Sequence, residues 1–251
     1  MTVSRSRAAA GPRRFADRAK RHDWFAVAID FLIVVFGIFI GLQANIWVQS
    51  RQDRAIEQRY LERLLADADA SAVALREAVE LNGKRAAILA SLDSALRNGT
   101  AVPDHAALSD VLCRWFVQPA VEVRRGTYDE LVSSGRLSLI RDEALRSDLA
   151  LQEGAHEEAQ RLDILTPAIL QAAAPLTKYR SWKILPPGTT GNGRGVDCDV
   201  ELDGMRRDRD VPSVIAQLYR DQTTHRAFRQ RELKAVDATR SRLRELLGPG
   251  G

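Results

Sequence analysis

The apolar residues of this chain follow two different patterns. The first is the unbroken run Phe31–Leu42, FLIVVFGIFIGL, inside a mostly apolar segment from Trp24 to Val48. About 20 such residues span the hydrocarbon of a bilayer, so residues 24–48 are expected to form one transmembrane helix. The second pattern begins beyond Gln43. Ile56, Tyr60, Leu64, Ala68, Ala72, Leu75, Val79, Ala86, Leu89 and Leu96 recur at spacings of three, four or seven, the period of a helix with one buried face. The membrane helix is therefore expected to run straight into an extramembrane helix, with Asn82-Gly83 as a candidate kink. Asn98-Gly99 should end it, with Pro103 beyond.

The rest of the chain reads as further helices broken by turns. Asp104 or Ser109 starts a second helix with Leu108, Val111, Leu112, Trp115 and Phe116 on its apolar side, and Gln118-Pro119 ends it. Thr127 and Glu130 form a capping-box pattern for a short third helix that Gly135 terminates. Tyr128 and Leu131 supply its packing. Arg136–Arg141 reads as an extended link. Asp142 caps a fourth helix carrying Leu145, Leu149, Leu151, Ala155, Ala159, Leu162, Leu165, Ile169 and Leu170, with Pro167 as a bend. Residues 176–210 are irregular. There Val196–Asp203 alternates with period two and can pair with Ser181–Leu185 as a small hairpin near 181–203. Pro212 opens a last helix through Leu218, Phe228, Leu233, Val236, Leu243 and Leu247. The expected fold is all-α: a single N-terminal transmembrane helix continuing into an extramembrane bundle of about four long helices.

Charge sets the orientation. Residues 1–23 carry seven Lys and Arg against two Asp, a net +5, whereas residues 51–251 hold 30 basic and 30 acidic residues. Lys- and Arg-rich flanks stay cytoplasmic. The expected organisation is thus a basic cytoplasmic tail over 1–23, an anchor over 24–48 and a domain over 49–251 on the far side, which in a bacterium is the periplasm. The pI of 9.3 comes from the tail, so the charge offers no footprint for nucleic acid. Trp24 and Trp47 sit at the two ends of the span, where aromatic rings favour the headgroup level. No small-x-small cleavage site follows, because Leu42 stands two before Ala44. The span is read as an uncleaved signal anchor.

Within the span, Ala26, Asp30, Gly37, Gly41 and Asn45 fall on one helical face. Small residues let two backbones approach, and polar residues within a membrane face protein rather than lipid. Asp30, Gly37, Gly41 and Asn45 are the candidate interface with a second membrane helix.

Candidate chemistry is sparse. Cys113 and Cys198 are the two cysteines. In an oxidising compartment they form one long-range disulfide, or else they are two buried thiols. Asp197, Asp199, Glu201 and Asp203 suggest a calcium loop, but Leu202 stands where the template needs Gly and Asp208 where it needs Glu. His22, His105, His156 and His225 have no second His or Cys at ligand spacing, and His156-Glu157-Glu158 reads as a polar helix face. Ser133-Ser134-Gly135 is not a nucleophile elbow. No metal or cofactor is expected.

Two stretches together resemble an uncharacterised bacterial family of short single-pass inner-membrane proteins. One is DFLIVVFGIFIGLQANIWV at Asp30–Val48 followed by RQDRAIEQRYLERLL at Arg51–Leu65. The other is TYDELVSSGRLSLI at Thr127–Ile140, similar to the family's T-Y-x-E-L-x-x-S-G-x-L-x-x-I signature, here carried by Thr127, Tyr128, Glu130, Leu131 and Gly135. The resemblance implies an anchor with its N-terminus inside and a helical outer domain. It brings no catalytic residues. The Arg-rich N-terminal extension and the Gly- and Asp-rich 186–210 segment depart from it.

The sequence thus points to a non-catalytic accessory, scaffold or sensory subunit of the bacterial inner membrane. Its partners are the lipid bilayer and, through the transmembrane helix, another copy of itself or another membrane protein. The alternative is a homo-oligomeric periplasmic ligand sensor. A periplasmic hydrolase, the third reading, would need a clustered nucleophile, base and oxyanion donors.

Overall fold

The computed structural model describes residues 16–100, 104–114, 121–163, 171, 173–186 and 196–248. The chain divides into two units, Met1–Ile56 and Glu57–Gly251. Helix α1, Ala16–Asn98, belongs to both.

In the first unit, the apolar residues from Phe31 to Val48 are exposed. Phe31, Ile33, Ile38, Ile40 and Leu42 are all more than half exposed. This one helix is long and apolar enough to cross a membrane, and its apolar window is 0% buried within the chain. The guanidinium of Arg51 lies 3.8 Å from the centre of the Trp47 ring.

The second unit is a helical bundle with one small sheet. After α1 come α2 (His105–Arg114), α3 (Gly126–Ser133), the 3-10 turn η1 (Arg136–Leu139) and α4 (Glu143–Asp163). Then follow the 3-10 turn η2 (Ala174–Tyr179), strands β1 (Arg180–Ile184) and β2 (Val196–Val200), α5 (Leu202–Arg207) and α6 (Val211–Leu247). α1 continues through Asn82-Gly83 as one helix and stops at Asn98, followed by Gly99 at φ 66°, a left-handed turn that glycine adopts without strain. Asp104 caps α2 through the Ala107 amide at 2.8 Å. Asp142 caps α4 through the Leu145 amide at 2.6 Å. Both caps satisfy amides that the first helical turn leaves without a partner.

Three helices make the body, and their buried positions follow one rule. On α1, Leu61, Leu64, Ala68, Ser71, Leu75, Ala78, Asn82, Arg85, Leu89 and Leu92 are buried. On α6, Val211, Ile215, Leu218, Gln222, His225, Arg229, Glu232, Val236, Thr239 and Leu243 are buried. Both series advance by alternating threes and fours, the seam of helices that pack side by side. Arg76 pairs with Asp237, Asp69 with Arg240 and Arg244, and Gly83 abuts Arg226. Numbers rise on α1 as they fall on α6, so these two helices are antiparallel. His156 and Asp163 of α4 meet Glu232 and Arg229 of α6, so α4 also runs antiparallel to α6.

Apolar clusters stand at both ends of the seam. One gathers Leu89, Leu92, Leu108, Leu112, Leu176, Met205, Ile215 and Leu218 among others. The other holds Ala68, Ala72, Leu75 and Val236. β1 and β2 are antiparallel, with Trp182 opposite Cys198 and Arg180 opposite Val200.

Three sequence expectations change here. Arg136–Leu139 is a 3-10 turn rather than an extended link, because Gly135 at φ 69° reverses the chain at once. The strand reading of Val196–Asp203 ends at Val200. The Glu201 amide donates to the Tyr179 carbonyl at 2.9 Å and α5 begins at Leu202. Leu151 is 65% exposed, since it lies outside the buried series Leu145, Leu149, His156 and Ala159. Trp115, Phe116, Pro119, Leu165, Pro167, Ile169 and Leu170 lie outside the described residues.

Candidate functional site

The sequence singled out three groups of residues, and the structure puts them in different places. Asp30, Gly37, Gly41 and Asn45 lie on the exposed helix of the first unit. Apart from the adjoining turns of the same helix, no atom among the described residues stands within 4 Å of where a Cβ on Gly37 or Gly41 would sit. Side chains added at those glycines would thus meet nothing else among the described residues.

The stretch Thr127–Ile140 docks against α1. The expected capping box is absent: Arg125 is the N-cap of α3, with no side-chain cap hydrogen bond. Thr127 and Glu130 reach across to α1 instead. The Asp67 carboxylate accepts from the Thr127 hydroxyl at 2.6 Å and from its amide at 3.2 Å. Glu130 accepts from the Tyr60 hydroxyl at 2.8 Å and from Arg63 at 2.7 Å. The Arg124 amide donates to Ser71 at 2.9 Å and the Arg141 amide to Glu57 at 2.8 Å. Hydrogen bonds from Arg63 and Tyr60 hold the Glu130 carboxyl below the usual carboxylate range. Leu131 is fully buried and Gly135 makes the turn. Tyr128 lines a cavity of about 20 Å³ beside Asp67, Arg125 and Gln152. That volume admits nothing larger than water, so this motif is a clasp between α3 and α1.

Cys113 and Cys198 are joined in a disulfide with a Cα–Cα distance of 6.2 Å. It ties α2 to β2 beside the larger apolar cluster.

The sequence reading missed the most unusual feature. Between the two apolar clusters the seam turns polar. α6 contributes Gln222, His225, Arg229 and Glu232, α1 contributes Asn82 and Arg85, and α4 contributes His156, all buried. The Glu232 carboxylate is 0% exposed. Its Oε1 faces His156 Nδ1 at 2.6 Å and its Oε2 accepts from Arg229 at 2.8 Å. Arg229 also donates to Asp163 at 2.7 Å. Gln160 Nε2 stands 2.9 Å from His156 Nε2. With the amide in this orientation, Gln160 donates, so His156 carries its proton on Nδ1 and gives it to Glu232. His225 lies between two carboxylates, with Nδ1 3.7 Å from Asp163 and Nε2 3.4 Å from Asp221. The polar-face reading of His156 is corrected: the residue occupies the α4 seam position that faces Glu232.

Burying charge costs free energy unless each charge is paired. Here one arginine bridges two carboxylates, and an imidazole takes the remaining oxygen of the buried one. Among the described residues, no group of three or more His, Cys, Asp or Glu is arranged to hold a metal ion, and the Asp197–Asp203 carboxylates form no such group. A shallow groove of about 180 Å³ runs between α1 and α6, lined by Leu89, Ala90, Asp93, Ile215, Ala216 and Tyr219. Its polar side chains are the Asp93 carboxylate and the Tyr219 phenol.

No protein-family model, curated protein or solved structure matches this chain. The functional reading rests on its own residues.

Proposed function

We propose that this protein is a single-pass, membrane-anchored accessory, scaffold or sensory subunit that works by helix contacts rather than by catalysis. The observation that carries the reading is the apolar stretch Phe31–Val48, which is long enough to cross a bilayer and is left exposed by the rest of the described chain. Such a surface needs lipid or another helix to cover it. Asp30, Gly37, Gly41 and Asn45 give it one face suited to a second helix. That helix belongs to another membrane protein or to a second copy.

The orientation we propose is N-terminus in the cytoplasm and Glu57–Gly251 in the periplasm of a bacterial inner membrane. The +5 charge of residues 1–23 supports it. So does the Cys113–Cys198 bond, since disulfides persist in oxidising compartments. The likeness to the single-pass family, carried by Asp30–Leu65 and Thr127–Ile140, points the same way.

Two experiments test the proposal. An alkaline phosphatase fused after Gly251 should be active in cells, and a cytoplasmic reporter at the same place should be active only if the orientation is wrong. The full-length protein purified in mild detergent should run as a complex, with itself or with one stoichiometric membrane protein. Gly37→Ile and Gly41→Ile should dissolve that complex. A monomer that both variants leave unchanged would end the helix-interface reading. A complex made only of this chain would favour the homo-oligomeric sensor.

A further inference from the structure

Where the apolar run of α1 ends, the helix carries a second surface, whose meaning rests on the span lying in a membrane. Trp47, Arg51 and Arg54 are all exposed. At about 100° per residue they fall within about 60° of one another round the helix. The Arg51 guanidinium lies 3.8 Å from the centre of the Trp47 ring, a cation–π stack. A guanidinium stacked on a ring keeps the N–H donors along its edge.

The stripe is cationic without compensation. Among the described residues, neither Arg51 nor Arg54 is paired with a carboxylate. Asp53 lies about 100° or more round the helix from all three stripe residues. Glu57 is engaged by Arg141, 3.5 Å away. The two arginines stand about 6 and 10.5 Å beyond Trp47 along the axis. Indole rings settle at headgroup level. With Trp47 there, both guanidiniums reach the phosphate layer from its water side, because arginine side chains are long enough to bend toward it.

Phosphate suits this arrangement, since the planar guanidinium fork donates two hydrogen bonds to one anion. Phosphatidylcholine screens its phosphate with a quaternary ammonium that two arginines repel, and phosphatidylglycerol does not.

We propose that Trp47, Arg51 and Arg54 form a docking site for an anionic phospholipid at the C-terminal end of the span. The two guanidiniums hold the lipid phosphate, and the acyl chains lie along the apolar helix. Trp47 lies about 120° or more round the helix from Gly41 and Asn45, so a lipid and a partner helix can be held at once. A lipid bound there fixes how far α1 rises from the bilayer and which face it turns to that partner.

The test is native mass spectrometry of the full-length protein in detergent, titrated with phosphatidylglycerol or with phosphatidylcholine. One cation at a membrane surface is worth about fivefold in affinity for anionic lipid. Arg51→Gln with Arg54→Gln should therefore weaken one bound phosphatidylglycerol by about 25-fold and leave phosphatidylcholine unchanged. Lipid held by the basic tail is common to both proteins and cancels in the comparison. Adding Gln49→Arg and Gln52→Arg to that pair restores the net charge on another face, about 100° or more from the stripe, and should leave the lipid weak. All these substitutions exchange good helix formers at exposed positions, so the helix is kept. Equal phosphatidylglycerol binding by the native protein and the Arg51→Gln, Arg54→Gln variant overturns the site. Full recovery on relocating the charges also overturns it, since bulk charge would then be the cause. Carbonate washing of membranes separates the site from the anchor. A native protein that stays in the membrane but binds no better than the variant refutes the lipid site alone, whereas one that washes out refutes the span and the lipid site together.

Discussion

Replacing Glu232 by Leu isolates the energetics of the polar layer. The native carboxylate is fully buried and gives one oxygen to His156 and the other to Arg229. Removing it leaves Arg229 buried with only Asp163, a half-exposed partner, and His156 Nδ1–H with no acceptor among the described residues. Breaking a buried pair by removing one member costs about 3–5 kcal/mol. Because Asp163 remains, the loss should lie near the lower end, about 3 kcal/mol. With a urea slope of about 2 kcal/mol per molar, the unfolding midpoint should fall by about 1.5 M. The assay is far-UV circular dichroism of the full-length protein in mild detergent. The triple variant His156→Leu, Arg229→Met, Glu232→Leu removes every member of the trio at once. It should recover most of the loss, since apolar replacement of a buried ion pair is often neutral or stabilising. A Glu232→Leu midpoint within about 0.3 M of the native one, or a triple variant as weak as the sum of its singles, would refute the reasoning.

Three further outcomes are expected. Cys113→Ala with Cys198→Ala opens a bond that spans 85 residues of sequence and should cost about 2–4 kcal/mol, and a reductant should give the same urea midpoint shift in the native protein but none in the variant. Gly83→Ala should stabilise the bundle by up to about 1 kcal/mol: its Cβ would come 3.2 Å from Arg226, a surface side chain free to swing away, and a lower melting temperature would show that it cannot. Glu130 is held below the usual carboxylate range by Arg63 and Tyr60, so the stability it adds is present above that range and lost as the pH falls through its lowered value; Glu130→Gln should flatten the acid side of the urea midpoint profile, and an unchanged profile would place the acid sensitivity elsewhere.

Much of the fold was legible because it depends on local signals. Asp104, Asp142, Gly99 and Gly135 mark helix ends by hydrogen bonds and dihedrals within a few residues, and each stands where its sequence context implied. Thr127 and Glu130 misled because a capping box and a cross-helix clasp use the same residue types, and the Asp67 and Tyr60 that claim them lie 60 and 70 residues away. The polar layer was illegible for another reason. Apolar spacing was the guide, and it passes over a polar residue on a buried face. A signal was present all the same. Leu218, Gln222, His225, Arg229, Glu232, Val236, Thr239 and Leu243 keep an unbroken alternation of four and three, and so do Leu75, Ala78, Asn82, Arg85, Leu89 and Leu92. Following spacing without regard to polarity would have placed both series in the interior. Which of those polar residues meet is decided by tertiary pairing, for which the sequence holds no local mark.

The pairing of α1 with α6 also fixes when the domain can form. Asp69 waits for Arg240, 171 residues later, and Arg76 for Asp237, 161 residues later. Ribosomes deliver the N-terminal part first, at a few to about twenty residues per second. For that interval the half-seams of α1 and α4 lie open, each with apolar side chains and unpaired charges. The polar layer keeps this nascent surface from being uniformly greasy, since Asn82, Arg85 and His156 interrupt it. Helix α6 thus acts as the closing stave of the bundle, and a chain that loses it should be cleared by proteases as an unfinished product.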